Sequence, residues 1–292
     1  MTILNFGSCC IDNVYSVPHF AGPGETLPCS NFEVHPGGKG LNQSIALAAS
    51  GAQVHHAGKV GKDGLWLVEL LKSKNVKTES VYVDEGPSGH ANIQVTPEGE
   101  NSIVLFGGAN KKITNEDIDK ALEVQDYEYL LIQNEISSLN YLIEEAAKRG
   151  IKIAFNAAPM TSGTLDLPLN LIELLIINEI EGTAMTGEDD PERIVSSLLA
   201  IYPSMRIVLT LGQQGAWYAD SSGIQKQPAE RVTAVDTTGA GDTFTGYFVA
   251  KYAKGEPIIE SLKFACRAAA ISVTRPGAGS SIPDKDEVDK LD

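Results

Sequence analysis

The feature that most constrains the fold is an alternation of short apolar runs with amphipathic helical patterns over residues 129–273. The apolar runs lie at residues 129–133, 151–155, 174–177 and 207–211. The helical patterns lie at about residues 138–149, 191–199, 243–254 and 257–273. Continuous apolar runs are typical of strands buried on both faces, and the intervening helices must cover those faces. The sequence therefore predicts an α/β fold with a mostly parallel central sheet.

Strand-like runs earlier in the chain do not fit this alternation. They lie at residues 11–17, 32–35, 91–95 and 103–106. The turn-forming residues 97–100 separate the last two runs and predict a β-hairpin. We interpret residues 12–35 and 86–108 as two insertions that build one small sheet outside the core. The core then consists of residues 1–11, 36–85 and 109–292.

Three further predictions concern helix ends and the C-terminus. Asp63 is predicted to cap a helix at about residues 65–74, because Asp is a preferred N-cap residue. By the same rule, Ser137 or Ser138 is predicted to cap the helix that ends near Gly150. The charged residues 284–292 are predicted to form a mobile tail.

The composition argues against several classes of partner. The chain carries 38 acidic and 23 basic residues, and this net charge of −15 disfavours binding to nucleic-acid backbones or anionic membrane surfaces. The four cysteines lack the spacing of a zinc site or of a disulfide framework. No signal peptide is evident, and the most apolar segment, residues 171–177, is too short to span a bilayer. We expect a cytoplasmic protein that binds neither nucleic acid nor membrane.

Polar residues follow many of the predicted strands. In open parallel sheets, ligands bind beyond the carboxyl ends of the strands, so these residues are the candidate site. They are Asp12, Gly38, Lys39, Asn42, Asn134, Glu135, Asn156, Asn178, Glu181, Thr210, Gly212 and Asp242. Each alone is compatible with an ordinary turn or cap, and only their common location favours a site.

One short motif has clear chemical potential. The small residues Gly239, Ala240 and Gly241 precede Asp242 and a helical pattern. A helix start of this kind leaves backbone N–H groups unpaired and can bind an anion, while the carboxylate could accept a proton from a hydroxyl. A glycine turn capped by Asp242 is the competing interpretation. P-loop, dinucleotide-binding and protein-kinase motifs are absent from the sequence.

Two motifs, residues 37–43 and 236–246, resemble the ribokinase (PfkB) family of carbohydrate kinases, and the ribokinases most of all. Residues 23–26, 178–181, 210–215 and 273–277 match further family segments in the family order. The resemblance implies a three-layer α/β/α domain with a small β-sheet lid, and a homodimer formed through the lid. It also implies transfer of the ATP γ-phosphoryl group to a primary hydroxyl of a pentose or related sugar.

The resemblance also implies residue roles. Asp242 would be the base, and the anion hole would be Gly239, Ala240 and Gly241. The sugar-binding positions would be Cys10, Asp12, Gly38, Lys39, Asn42, Glu135 and Asp242. The nucleotide-binding positions would be Asn178, Thr210, Gly212, Gly215, Gly241 and Cys266. Glu181 would act indirectly on Mg²⁺, and K⁺ would bind near Asp236, Thr238, Ser272, Arg275, Gly277 and Ser281, largely through backbone carbonyls.

Cys10 departs from the family pattern, because ribokinases carry Asn at this position. An amide both donates to and accepts from a sugar hydroxyl, whereas a thiol is a weak partner in either role. The sequence therefore leaves the sugar open: ribose, another pentose, a ketohexose or a related polyol.

Two alternatives to a sugar kinase remain. A nucleoside kinase of the same fold would stack its base on aromatic residues of the small sheet, such as Tyr15, Phe20 or Phe106. A non-catalytic regulator would bind sugar or nucleotide without turnover. The intact residues Gly239, Gly241 and Asp242 count against this second alternative.

Overall fold

A nine-stranded sheet forms the centre of the molecule. The computed structural model describes residues 1–290; residues 291 and 292, which belong to the predicted core and tail, lie outside the described residues. The strands of this sheet are β1 (Thr2–Phe6), β4 (Gln53–Gly61), β5 (Lys77–Asp84), β8 (Tyr129–Gln133), β9 (Lys152–Asn156), β10 (Leu174–Asn178), β11 (Arg206–Thr210), β12 (Ala216–Asp220) and β13 (Gly223–Gln227). Their order is β13-β12-β11-β10-β9-β8-β1-β4-β5. All neighbours from β11 to β5 pair in parallel, and β12 and β13 add an antiparallel hairpin at one edge.

Helices cover both faces of this sheet. They are α1 (Lys39–Ala49), α2 (Leu65–Ser73), α3 (Asn115–Leu122), α4 (Leu139–Lys148), α5 (Glu179–Thr186), α6 (Pro191–Ile201), α7 (Ala240–Ala253), α8 (Ile258–Ser272) and α9 (Lys285–Asp289). Side chains of α1, α2, α7, α8 and α9 share one buried cluster with Ile3. Side chains of α3, α4 and α6 share a second cluster with Leu4. Because successive strand residues point to opposite faces, this division confirms the three-layer α/β/α arrangement.

A second sheet has four strands in the order β3-β2-β6-β7. They are β2 (Cys10–Ser16), β3 (Asn31–Gly37), β6 (Gly89–Val95) and β7 (Asn101–Phe106). Strand β2 pairs in parallel with β6, and the outer pairs are antiparallel. Several of its apolar side chains are exposed, including Val34, Val104 and Leu105. The sheet confirms the predicted hairpin around residues 97–100 and presents an apolar surface that is unusual for an isolated small sheet.

Of three local predictions, two are wrong and one is correct only in position. The Asp63 carboxylate does not cap α2; it accepts bonds from the N–H and hydroxyl of Ser88, at 3.0 and 2.8 Å, and so fixes the start of β6. Ser138 is the N-cap residue of α4, as predicted, but its hydroxyl makes no cap bond; the hydroxyls of Ser137 and Ser138 both donate to the Ile113 carbonyl.

The tail prediction is also wrong for the described residues 284–290. Residues Lys285–Asp289 form α9, which begins with a capping box. Glu287 of this helix binds the Arg275 guanidinium, with an Oε1–Nη2 distance of 2.6 Å. None of the helices in residues 1–290 has both the length and the apolar character needed to cross a bilayer.

Candidate active site

The N-terminus of α7 forms the centre of the site. Gly239 precedes the helix in the left-handed region at φ 74°, a conformation that favours glycine. Ala240 donates its N–H to the Thr237 carbonyl at 3.3 Å, whereas the N–H groups of Gly241 and Asp242 have no acceptor within residues 1–290. Two unpaired N–H groups at the positive end of a helix can bind an anionic oxygen.

The Asp242 carboxylate lies at this helix start and is buried, with 6% of its surface exposed. The Asn42 side-chain amide donates to Oδ2 at 3.1 Å, and the Gln43 amide donates to Oδ1 at 2.8 Å. Both donors belong to α1, which crosses α7 at very short range. Gly246 permits this approach, since a Cβ there would lie 2.8 Å from the Leu47 backbone nitrogen. The close crossing therefore brings two amides to one carboxylate.

Lys39, the first residue of α1, lies among three carboxylates. Asp242 raises the pKa of Lys39 most, against the opposing effect of burial, and Glu135 and Glu181 add to the rise. The Lys39 backbone N–H also donates to Oε2 of Glu135 at 3.0 Å, and the Ser8 hydroxyl donates to the same oxygen. Glu135 thus fixes the turn that starts α1, where the preceding residue Gly38 has φ 92°.

Asp12 and Cys10 lie two residues apart on β2, so their side chains share one face of the small sheet. Burial, and then the charge of Glu135, raise the pKa of Asp12 to about 6. No described residue donates a hydrogen bond to its carboxylate. The Cys10 sulfur accepts a bond from the Asn110 amide at 3.3 Å, and burial, with the charges of Glu135 and Asp12, raises the thiol pKa well above its ordinary value. This end of the site is therefore poor in donors.

A cavity of about 560 Å³ opens beside the start of α7. Its lining includes the predicted nucleotide residues Thr210, Gly212, Gly215, Gly241 and Cys266. Its size is in the range of pockets that hold nucleotides and drug-sized ligands. The lining also includes Val232, Phe244 and Val273, which the sequence analysis did not assign. Val232 lies in a loop outside every motif. Phe244 and Val273 lie within the matched segments 236–246 and 273–277, but an apolar residue there is equally compatible with the core.

Asn178 does not line this cavity; it caps α5. Its Oδ1 accepts the Glu181 N–H at 2.8 Å, and Oε2 of Glu181 accepts the Asn178 N–H at 3.0 Å. Burial raises the pKa of Glu181, while the Asn178 N–H and Lys39 oppose the rise. One carboxylate oxygen of Glu181 is committed to the cap, and the other is left for further contacts.

Asp236 joins two loops beside α7. Its Oδ1 accepts the Thr238 N–H at 2.9 Å and the Thr238 hydroxyl at 2.7 Å, and its Oδ2 accepts the Gly277 N–H at 2.8 Å. Although burial acts to raise it, these bonds hold the pKa of Asp236 below its ordinary value. Three of the predicted K⁺ residues, Asp236, Thr238 and Gly277, therefore lie on loops that one carboxylate holds together.

The side chains of the other predicted K⁺ residues are engaged elsewhere. The Ser272 and Ser281 hydroxyls donate to the carbonyls of Ala269 and Ala278, both at 2.8 Å. The Arg275 side chain pairs with Glu287. Within residues 1–290, no group of three or more His, Cys, Asp or Glu side chains is placed to hold a metal ion. Any cation on these loops would depend on backbone carbonyls.

Comparison with known proteins decides the family. The family described as "pfkB family carbohydrate kinase" matches residues 2–285. The chain belongs to this family. This carbohydrate kinase is 38% identical to a ribokinase of Bacillus subtilis over 294 residues, which cover 98% of this chain and 97% of the relative.

Two solved structures share the fold of this PfkB-family kinase over nearly the whole chain. A ribokinase of Arabidopsis thaliana in complex with ribose and ATP has a TM-score of 0.88 at 28% identity, covering 99% of this chain and 97% of the other. A ribokinase of Cryptococcus neoformans in complex with ADP has a TM-score of 0.87 at 31% identity, covering 99% and 98%. The ribokinase-like fold and the phosphotransferase class are thus confirmed.

Proposed function

We propose that this chain transfers the γ-phosphoryl group of ATP to a primary hydroxyl of a pentose or related sugar, with Asp242 as the base. The observation that carries the proposal is the position of Asp242. Its carboxylate lies at the start of α7, beside the unpaired N–H of Gly241, which also lines the 560 Å³ cavity. A nucleotide in that cavity would thus place its terminal phosphate next to both a base and an anion hole.

The residues then have distinct tasks. Asp242 accepts the hydroxyl proton, and the N–H groups of Gly241 and Asp242 stabilise charge on the transferred group. Lys39 adds a positive charge near the base, which would favour binding of the ATP phosphates there. The buried Asn42 Oδ1 has no partner in the described residues, so it is free to accept a sugar hydroxyl. ATP supplies the phosphoryl group when bound.

The residues present also fit the two cations. Mg²⁺ in phosphoryl-transfer sites uses one or two carboxylates together with water and substrate phosphates. The remaining oxygen of Glu181 fits a contact with Mg²⁺ through water, and Mg²⁺ would neutralise phosphate charge. The loops joined by Asp236 fit K⁺ held by carbonyls. Turnover that is unchanged when Na⁺ replaces K⁺ would contradict the K⁺ assignment.

The small sheet is proposed to act as a lid and as the interface of a homodimer. Its exposed apolar side chains would be covered by a second copy of the chain, and its strand β2, which lies between β3 and β6, carries the proposed sugar-binding residues Asp12 and Cys10. A dimer would bury these apolar surfaces. Gel filtration at the size of a monomer would contradict the dimer.

The sugar itself is tested by ADP release in a coupled assay with ribose, 2-deoxyribose, other pentoses, ketohexoses and nucleosides. We expect a pentose to give the highest kcat/KM. Turnover with nucleosides alone would favour the nucleoside kinase, for which Tyr15 and Phe106 are less available because each packs on another ring, Phe32 and His90, respectively. Absence of ADP release with all of these acceptors would contradict the proposal.

A further inference from the structure

Three buried amide side chains form a continuous chain behind Asp242. Gln43, Gln133 and Asn5 each have no exposed surface. Gln133 Nε2 donates to Oε1 of Gln43 at 2.7 Å and to Oδ1 of Asn5 at 2.8 Å. Gln43 Nε2 then donates to Oδ1 of Asp242 at 2.8 Å. The chain joins β1, β8 and α1 to the proposed base.

The surrounding hydrogen bonds allow only one orientation of each amide. Asn5 Nδ2 donates to the Gly40 carbonyl and to Ser44 Oγ, both at 2.7 Å, so its oxygen must face Gln133. Gln133 therefore presents its NH₂ group to both Asn5 and Gln43. Because the Gln43 oxygen accepts from Gln133, the Gln43 NH₂ group must point toward Asp242.

This orientation of the amides leaves one buried oxygen without a hydrogen-bond donor. The Gln133 Oε1 atom is buried and has no partner within residues 1–290. Rotating the Gln133 amide by half a turn would direct this oxygen at the oxygens of Asn5 and Gln43, and two acceptors facing each other repel. An unpaired buried polar atom destabilises the fold, so packing alone does not account for this arrangement.

We infer that Gln43 is a positioning residue for Asp242, and that Gln133 and Asn5 act through it. The inference rests on the proposed role of Asp242 as the base. Gln43 holds Oδ1 at 2.8 Å, which leaves Oδ2, with only the longer 3.1 Å bond from the Asn42 amide, as the oxygen that meets the sugar hydroxyl. A carboxylate oxygen can accept more than one hydrogen bond, so the Asn42 contact does not block the proton transfer.

The first test replaces Gln43 by methionine, which is similar in shape but has no donor. We expect kcat to fall about 10- to 100-fold, because a small misplacement of a catalytic group has effects of this order. The KM values for sugar and ATP should stay within about threefold, since Gln43 is not itself among the proposed sugar-binding or nucleotide-binding residues. The matched control is Ser50→Ala, which removes a buried hydrogen bond to the Leu47 carbonyl at the other end of α1. This control should lower Tm and leave kcat unchanged.

The second test is a double-mutant cycle with Asp242→Asn. If Gln43 acts through Asp242, Gln43→Met should change the residual kcat of Asp242→Asn by less than about twofold. An equal loss in both backgrounds, or a Gln43→Met enzyme with wild-type kcat, would overturn the inference. If Gln43→Met does not fold, Gln133→Met takes its place, and an unchanged kcat there overturns the inference.

Different results would overturn the proposed function and the positioning role of Gln43. Wild-type turnover in Asp242→Asn would overturn the proposed function. An inactive Asp242→Asn enzyme together with a fully active Gln43→Met enzyme would overturn only the positioning role.

Discussion

The two carboxylates at opposite ends of the site differ in their hydrogen-bond donors. Asp242 receives one amide on each oxygen, from Asn42 and Gln43. Asp12 receives no donor from the described residues, and its pKa is raised to about 6 by burial and by Glu135. Both side chains are largely shielded from water, so the difference lies in their partners.

The end of the site at Asp242 is therefore preorganised, whereas the end at Asp12 depends on a bound ligand for its hydrogen-bond donors. Hydrogen-bond donors that the fold holds in place need not reorganise during the reaction. This preorganisation is the main source of electrostatic catalysis. A buried carboxylate without donors is costly to the fold and becomes favourable only when a ligand supplies hydroxyl groups. The phosphoryl-transfer end is thus built by the chain alone, whereas the sugar end is completed by the substrate.

The largest expected effect is that of Asp242→Asn at the preorganised end. Removing the base while keeping its shape should lower kcat by about 10²–10⁴-fold, with the Kd values for sugar and ATP within about threefold. Steady-state turnover and calorimetric titration measure the two quantities. A loss confined to binding would mean that Asp242 holds substrate without taking its proton.

The Asp12→Asn substitution should weaken sugar binding and increase the stability of the protein. Loss of the charge should raise KM for the sugar by about 10- to 100-fold, the order of a hydrogen bond to a charged group. Since the folded pKa of about 6 exceeds the unfolded value, the folded state binds more protons than the unfolded state between about pH 4 and 6. The wild-type free energy of unfolding should therefore decrease as pH rises through this window.

In the Asp12→Asn variant, the free energy of unfolding should not decrease over this pH window. Above pH 6 it should exceed the wild-type value by about 1–3 kcal/mol. Urea unfolding at pH 4 and pH 8 gives the comparison, with a smaller difference expected at pH 4. Equal stabilities at both pH values would show that Asp12 has donors in solution and would remove the contrast with Asp242.

Gly246→Ala tests whether the α1–α7 crossing maintains the amide cradle. The added methyl would press on Ala46 and on the Leu47 backbone, and overpacking of this kind costs about 1–3 kcal/mol. We expect kcat to fall about tenfold through displacement of Asn42 and Gln43, with a smaller effect on KM for ATP. A lowered Tm with unchanged kcat would show that the cradle tolerates a wider helix spacing.

The smallest effect is expected from Cys10→Asn, which adds a donor to the sugar end. If this position contacts a hydroxyl of the sugar, kcat/KM for ribose should rise about fivefold relative to other sugars, as expected for about 1 kcal/mol. Competition assays between sugar pairs measure this ratio. An unchanged ranking of sugars would place the source of specificity elsewhere, with Asp12 or Asn42 as the next residues to vary.

Much of the sheet could be predicted because its central strands are continuous apolar runs. Strand β5 was not predicted, since this edge strand is only partly buried and its sequence, Lys77–Asp84, is largely polar. Helices α3 and α5 were also missed, although both start with a readable capping box, at Thr114 and Asn178. At Asn178, the same residues that form the capping box also match a family segment, so the local pattern is compatible with both a binding role and a helix start.

Among the site residues too, those in a local motif could be predicted, whereas those brought together only by the fold could not. The motif at residues 236–246 located the start of α7, because its glycines and acidic residue are local features of one turn. The cytoplasmic location, the dimer and the cations stay predictions. Asp63 shows the limit of local rules: its neighbours predict a cap, but Ser88, brought close by the fold, takes its hydrogen bonds.

The sequence by itself determined the family, the α/β layering and the candidate base, since each is written in local patterns. Only the tertiary structure decided how that base is held. Gln43 is 199 residues from Asp242 and 90 from Gln133 along the chain, and no spacing rule connects them. A carboxylate's hydrogen-bond partners depend on which helices cross near it, and here the absence of a side chain at Gly246 lets α1 approach closely enough to supply them.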